Sequence, residues 1–441
     1  MYLEQIRLEN FRCYENIEIN FDSRLSLLVG GNGAGKTAIL EGASIALSTM
    51  FSALDIITGQ NIHTTDACLK AFHIGDTDDI QAQYPVKIYA RGYFPDSDDR
   101  DGEKEWTRTV NAEGGKTTIK DAKQMTEFSR QLQNKLRTGD QKLILPLIAY
   151  YGTGRLWDYH REKRYDAFKK NTRTNGYIDS LDGTANIKLM LNWFKKKTIE
   201  KYQKQEQGLK PGSTLDIVYQ AMEECYAKIT GYRNIKIQYN LNTNEIDVYY
   251  TDQSGTRMCI PLNQLSDGYK STISLIADIA YRMANLNPQL MDETIKSTPG
   301  IILIDEIDLH LHPEWQHRIL GDLQNIFPEV QFIVSTHAPA VISSVRSENL
   351  IILRNYRAYK VDSQIYGNDA NSILKEIMNV SERTPEIAKL FQEFYLYLNE
   401  KKYNEAEQIL DRIDEKRNSH DAELANCRVK LKLERLRGGR V

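Results

Sequence analysis

Five cysteines in 441 residues, Cys13, Cys68, Cys225, Cys259 and Cys427, form no CxxC pair. That spacing excludes a disulfide framework and a sulfur-rich metal site, and it predicts reduced packing residues. No stretch approaches the roughly 18 consecutive apolar residues of a membrane span. Residues 1–11 mix charges among apolar side chains instead of separating them as a signal peptide does. The expectation is a cytoplasmic protein without a membrane partner. A formal net charge of −3 gives no global attraction to nucleic acid, so any DNA contact must use a local patch. Lysine and arginine cluster at Lys195, Lys196 and Lys197 and again over 428–440, runs that read first as solvated helix faces. There is no internal repeat and no heptad run long enough for an extended coiled coil.

At 41% hydrophobic residues the chain can bury a full core, and its length allows about two or three structural units. Strand-like alternation over 2–11 and 17–21 precedes the apolar run 25–29, which ends in glycine. Strand pairs are expected at 84–94 and 105–119 around an acidic hairpin tip, followed by a helix and a further apolar run at 143–151. From 155 to about 233 the pattern turns to helices rich in lysine, aromatics and glutamine, a helical lid. Strand character returns at 235–250 and 258–261, Leu265 opens a helix, and the apolar runs 300–304 and 330–334 belong to a buried parallel sheet. The last part is helical and charged, with Leu390, Tyr395, Tyr397 and Leu398 as apolar anchors. The chain thus divides into 1–155, a lid at 156–233, a second lobe at 234–367 and a helical tail at 368–441.

Gly30-Gly31-Asn32-Gly33-Ala34-Gly35-Lys36-Thr37 satisfies the pattern G-x-x-x-x-G-K-[ST], with a strand before it and a helix after. Glycines let backbone N–H groups wrap a phosphate, and the helix aims its positive end at the same oxygens. Lys36 then acts as a point charge on the β and γ oxygens, and the Thr37 hydroxyl is a Mg²⁺ ligand of bound ATP. The strand 301–304 delivers Asp305 and Glu306 to its carboxyl end, where ligands bind in a doubly wound sheet. Asp305 would hold Mg²⁺ through water, and Glu306 would polarise the attacking water. Residues 263–270 form another glycine-containing helix start, in which Ser266 and the Gly268 N–H could either cap the helix or bind phosphate. His310-x-His312 has zinc spacing, but Pro313 suits the first turn of a helix, so a loop-to-helix junction is the preferred reading.

Leu265-Ser266-Asp267-Gly268 ahead of Asp305-Glu306 resembles the signature motif of ABC-type ATPases. The resemblance implies an α/β P-loop ATPase head with an antiparallel β subdomain, a lid insertion and a helical tail. It also implies a head-to-head homodimer, in which the signature of one protomer completes the nucleotide site of the other. His337, after Val334-Ser335-Thr336, resembles the switch histidine of that family, and Asp308 resembles the aspartate that communicates across the dimer. Asn10-Phe11-Arg12 resembles the opening element of the RecF and SMC branch, which implies an approach of Arg12 to nucleotide. Asn32 matches the phosphate-loop asparagine of that branch. One departure stands out: the segment ending Gly152-Thr153-Gly154-Arg155 occupies the Q-loop position without a glutamine.

Only 109 residues separate Arg155 from the signature, where SMC proteins carry very long coiled coils. Residues 150–157, 305–313 and 366–374 are similar in style to the ATPases of the Septu antiphage system, the PtuA family, and their retron-associated relatives. That resemblance implies a regulatory ATPase, a homodimer or a higher homo-oligomer, that governs an HNH nuclease partner and reaches DNA through the complex. The alternative is a RecF-like repair ATPase acting directly on DNA.

Overall fold

The computed structural model describes residues 1–55, 57–95, 102–156, 172–183, 187–209, 214–252, 254–361, 364–378, 383–417 and 422–438. They divide into two compact units, Met1–Asn368 and Asp369–Val441.

The larger unit opens with β1 (Tyr2–Phe11), β2 (Tyr14–Asn20), β3 (Leu25–Gly30) and α1 (Lys36–Leu47). Next come β4 (Leu69–Ile74), β5 (Thr77–Ala82), β6 (Val86–Tyr93), β7 (Glu103–Val110), α2 (Lys123–Arg137) and β8 (Leu147–Tyr151). Two helices, α3 (Ile187–Glu206) and α4 (Thr214–Thr230), fall in the expected lid. The strands β9 (Arg233–Asn240), β10 (Glu245–Thr251) and β11 (Arg257–Pro261) lead into α5 (Asp267–Leu286). After α6 (Thr294–Ser297) come β12 (Gly300–Ile304), α7 (Pro313–Gln316), α8 (Ile319–Ile326), β13 (Val330–Thr336), α9 (Pro339–Ile342), β14 (Leu350–Arg354) and β15 (Arg357–Lys360).

A six-stranded sheet ordered β15-β14-β3-β13-β12-β8 forms the centre, parallel except at the β15 edge. Three of its inner strands, β3, β12 and β13, are buried at every residue and rich in Val, Ile and Leu, as a sheet covered on both faces requires. The register brings Ile304 beside Val334 and Thr336 beside Val29, so three loops leave the same carboxyl edge together. A second, antiparallel sheet, β2-β1-β6-β7, belongs to the N-terminal part. Helix α1 packs tightly on it: a Cβ on Gly42 would meet Leu8 Cδ2 at 2.8 Å, and the Trp106 indole donates to Ala46 O at 2.9 Å.

Four expectations are corrected. The strand foreseen over 105–119 stops at Val110, because Gly114 takes φ 68 in a turn and only Thr118 bridges back to Thr109. The helix foreseen from Leu265 starts at Asp267, after a short 3₁₀ turn at Leu262–Gln264. Cys259 is exposed on β11 and is not a core residue, although Cys68, Cys225 and Cys427 are buried and all five thiols are free. In the tail, Leu390 and Leu398 are buried and Tyr397 packs against their core, but Tyr395 is 36% exposed and Phe391 and Phe394 take the buried aromatic places. The foreseen hairpin tip lies largely outside the described residues.

The smaller unit holds α10 (Ala370–Ser372), α11 (Pro385–Asn399), α12 (Tyr403–Arg417) and α13 (Ala422–Gly438). Leu390, Phe394, Leu410, Ile413, Leu424 and Leu431 give it a core of its own. Spaced three, four or seven apart within each helix, these side chains line one face.

Candidate nucleotide site

The loop after β3 turns because two glycines take left-handed backbone angles, Gly33 at φ 77 and Gly35 at φ 91. At Gly35 there is also no room for a side chain, since a Cβ would lie 2.2 Å from the Tyr14 hydroxyl and 2.8 Å from Cys13 Sγ. Tyr14, on β2, donates its hydroxyl to Ala34 O at 2.8 Å and so braces the loop from the antiparallel sheet. Asn32 lies exposed on the loop.

Lys36, in the first turn of α1, is 6% exposed and donates to Gly30 O at 2.8 Å and Gly31 O at 3.2 Å. Burial lowers its ammonium pKa, and the carboxylates of Asp305, Glu306 and Asp308 oppose that shift. The Thr37 hydroxyl donates to Asp305 Oδ2 at 2.7 Å. Asp305 also accepts from the Ser335 hydroxyl, which in turn accepts the Glu306 N–H at 2.8 Å. Glu306 sits at φ 47, a left-handed angle that non-glycine residues seldom adopt and that concentrates at functional sites.

Thr336 donates to Asp308 Oδ1 at 2.5 Å, and the His337 N–H reaches the same oxygen at 3.4 Å. Burial and the nearby Lys36 lower the His337 pKa, against the pull of Glu306, Asp308 and Asp305. The ring is therefore biased to the neutral form at neutral pH, able to donate from one nitrogen and accept at the other.

Lys36, Thr37, Asp305, Glu306, Asp308 and His337 thus converge at one sheet edge. Ser266 and Gly268 share none of the described hydrogen bonds of that cluster. Ser266 is exposed at the start of α5 and makes no side-chain capping bond. A Cβ on Gly268 would stand 2.6 Å from His310 O, so the signature turn packs on the loop after β12. His312 caps α7 by accepting the Glu314 N–H at 3.4 Å, with Pro313 in the first turn. No group of three or more metal-ligating side chains occurs among the described residues. Arg12 is paired locally, with Asp66 at 2.9 Å and with Glu41 on α1. The Arg155 side chain and residues 157–171 lie outside the described residues.

Several contributors escaped the sequence reading. Ser335 and Thr336 orient the two acidic residues they touch, and Tyr14, Asp66 and Glu41 brace the loop or neutralise Arg12. A hydroxyl pair at the end of an apolar strand was the available signal for the first two.

A phosphate loop, an acidic pair on the neighbouring-but-one strand and a histidine between them, on a parallel sheet flanked by an antiparallel one, define the head of an ABC/SMC-like P-loop ATPase. The sequence profile of the family described as AAA domain (AAA_23) matches residues 5–230, and the chain belongs to that family. The chain is similar to the Retron Vc95 probable ATPase of Vibrio cholerae serotype O1 biovar El Tor, 27% identical, over 86% of this chain and 80% of that one. It is also 24% identical to the Septu protein PtuA of Bacillus thuringiensis, over 93% of each chain. Among solved structures, the SmcHead bound to the C-winged helix domain of ScpA aligns with a TM-score of 0.45 and 16% identity, over 83% of this chain and 99% of that one.

Proposed function

We propose that the chain is a regulatory ATPase of an antiphage defence system, which closes as a head-to-head homodimer on ATP and Mg²⁺ and controls an HNH nuclease partner. The observation that carries the ATPase reading is the Thr37 hydroxyl against the Asp305 carboxylate at 2.7 Å. These are two hard oxygen ligands at the carboxyl edge of the sheet, beside a buried lysine, and they fit Mg²⁺. When bound, the metal neutralises charge on the β and γ phosphates.

Around that site the chain's own groups have assignable work. Backbone N–H groups of Gly33 and Gly35, with the amino end of α1, bind phosphate oxygens, and Asn32 helps place the γ-phosphate. Lys36 supplies a fixed positive charge. Glu306 orients and deprotonates water, while His337 donates to the departing γ-phosphate. The exposed Ser266 hydroxyl and the Gly268 N–H complete the site of the partner protomer, with Asp308 beside the interface. Arg12 would reach nucleotide only by releasing one of its two carboxylates.

Dimer closure is tested by sizing the protein with and without ATP and Mg²⁺. Wild type shifts to the dimer with ATP, whereas Ser266→Arg binds ATP but stays monomeric; an unchanged dimer in the variant refutes the shared site. Similarity to PtuA over 93% of this chain and to a retron ATPase over 86% of it supports the regulatory assignment. The tail after Asn368 is then the dock for the nuclease. Deleting residues 369–441 should abolish co-purification with a neighbouring HNH nuclease and leave ATP affinity unaltered. Co-purification that survives the deletion removes the tail from that role, and salt-sensitive DNA binding without any partner would favour direct action on DNA.

A further inference from the structure

The signature turn has few holds of its own. Ser266 and Asp267 are exposed, Ser266 makes no side-chain capping bond, and the Asp267 carboxylate pairs with Lys270 of the same helical turn at 3.3 Å. Its tight contacts come from beyond α5. Gly268 is buried against the segment after β12, where a Cβ would stand 2.6 Å from His310 O and 3.0 Å from Trp315 Cζ3. The following ring, Tyr269, meets the Trp315 indole with centroids 4.4 Å apart and planes at 44°. Tyr269 also meets Tyr226 of α4 at 5.7 Å, so its side chain bridges α4 and α7.

The segment that leads to Trp315 is held independently of that contact. The Ile307 N–H donates to Ser335 O, the Leu309 N–H to Glu306 O and the Leu311 N–H to Asp308 O, each at 3.0 Å. Asp308 accepts from Thr336, and the Trp315 N–H donates to His312 O at 2.9 Å at the start of α7. One partner in the contact is therefore anchored to the end of β13, while the other projects at the amino end of a helix. The indole holds the signature turn, and not the reverse.

We propose that Trp315 is a positioning residue of the composite ATP site: its indole fixes the Ser266–Gly268 turn that one protomer offers to the nucleotide of the other. An aromatic pair works through ring contact and shape, so phenylalanine can stand in for the indole and alanine cannot. A turn released on that side no longer presents its hydroxyl and N–H in one orientation, and a misplacement of about 1 Å can cost roughly 10²-fold in rate. The inference rests on the shared-site reading and says where damage falls, in the site of the partner and not in the protomer's own.

The test uses mixed dimers of the full-length chain with a single working site. A Lys36→Ala protomer supplies an intact signature without nucleotide, and a Ser266→Arg protomer supplies nucleotide without a usable signature. Neither should hydrolyse ATP alone, and their mixture should; an inactive mixture removes the shared site and this proposal with it. Trp315→Ala in the Lys36→Ala protomer should slow hydrolysis by the mixture about tenfold, near the upper end of what an aromatic pair contributes. The same substitution in the Ser266→Arg protomer should slow it by no more than about twofold. Trp315→Phe in the first placement should keep activity within about threefold of the unsubstituted mixture. Thermal midpoints establish that each protomer folds, and Trp315→Leu, which keeps apolar bulk, replaces alanine where alanine unfolds the chain, with the same asymmetry expected. A substitution that merely loosens the fold acts alike in both placements. Equal losses, no loss in either placement, a larger loss in the Ser266→Arg protomer, or failure of phenylalanine to restore activity overturns the proposal while the unsubstituted mixture still works.

Discussion

Replacing Lys36 by alanine lowers ATP affinity at least about a hundredfold, a loss of ~2.7 kcal/mol. The ammonium is the buried cation closest in sequence to the phosphate loop, and it is held by Gly30 O and Gly31 O where the loop begins. Charged hydrogen bonds contribute roughly 1.5–3 kcal/mol each, and Lys36 would form them to two phosphates. Its removal also leaves a triphosphate facing the carboxylates of Asp305, Glu306 and Asp308, the same groups that oppose the lowering of the Lys36 pKa. Repulsion therefore adds to the missing attraction. The side chain does not belong to the apolar core, so the variant should keep a wild-type unfolding transition. Equilibrium titration with a fluorescent ATP analogue measures the loss, and affinity close to wild type in a folded variant rejects the phosphate-loop assignment.

The second large effect is expected from Glu306→Gln, which should slow hydrolysis by roughly 10²–10⁴-fold, the range that a positioned general base supplies. Glutamine keeps the shape and the backbone anchor, because it is the Glu306 N–H, not the carboxylate, that donates to Ser335. Binding should survive or improve, since a neutral amide no longer repels the γ-phosphate. The consequence is accumulation of an ATP-bound closed dimer, visible as an ATP-dependent shift in sizing and as bound ATP recovered from the dimer peak. Phosphate release at the wild-type rate, or a variant that stays monomeric with ATP, contradicts the role given to Glu306. The pairing with Lys36→Ala is diagnostic, for one variant loses the ligand and the other retains it.

Much of the architecture could be read from the residues because its signals are local. Apolar runs rich in Ile, Leu and Val mark β3, β12 and β13, and each is followed within a few residues by the group it presents: Lys36 and Thr37, Asp305 and Glu306, His337. A strand followed by a glycine turn and a helix needs no long-range knowledge. What escaped depends on pairing between distant segments. The β4–β5 hairpin was missed because Leu69, Phe72, Ile74 and Ile80 are all exposed, so neither strand shows the in-and-out pattern of a half-buried strand. Aromatic character at Tyr395 does not make a core anchor, because helical spacing from Leu390 gives the buried place to Phe394. The partners of Arg12 lie 29 and 54 positions away, and nothing in Asn10-Phe11-Arg12 announces Glu41 or Asp66. Ser335 could be given its task only once β13 was found beside β12.

The contact between Tyr14 and the glycine turn carries a further implication. A phenol rooted in one sheet sets the curvature of an anion cradle rooted in the other, with Ala34 O as the point of attachment and Gly35 as the only residue type that leaves clearance. Bending the outer sheet by even a fraction of an ångström at β2 would tilt the N–H groups that face the triphosphate. Load applied at that surface therefore has a direct mechanical route to the grip on ATP.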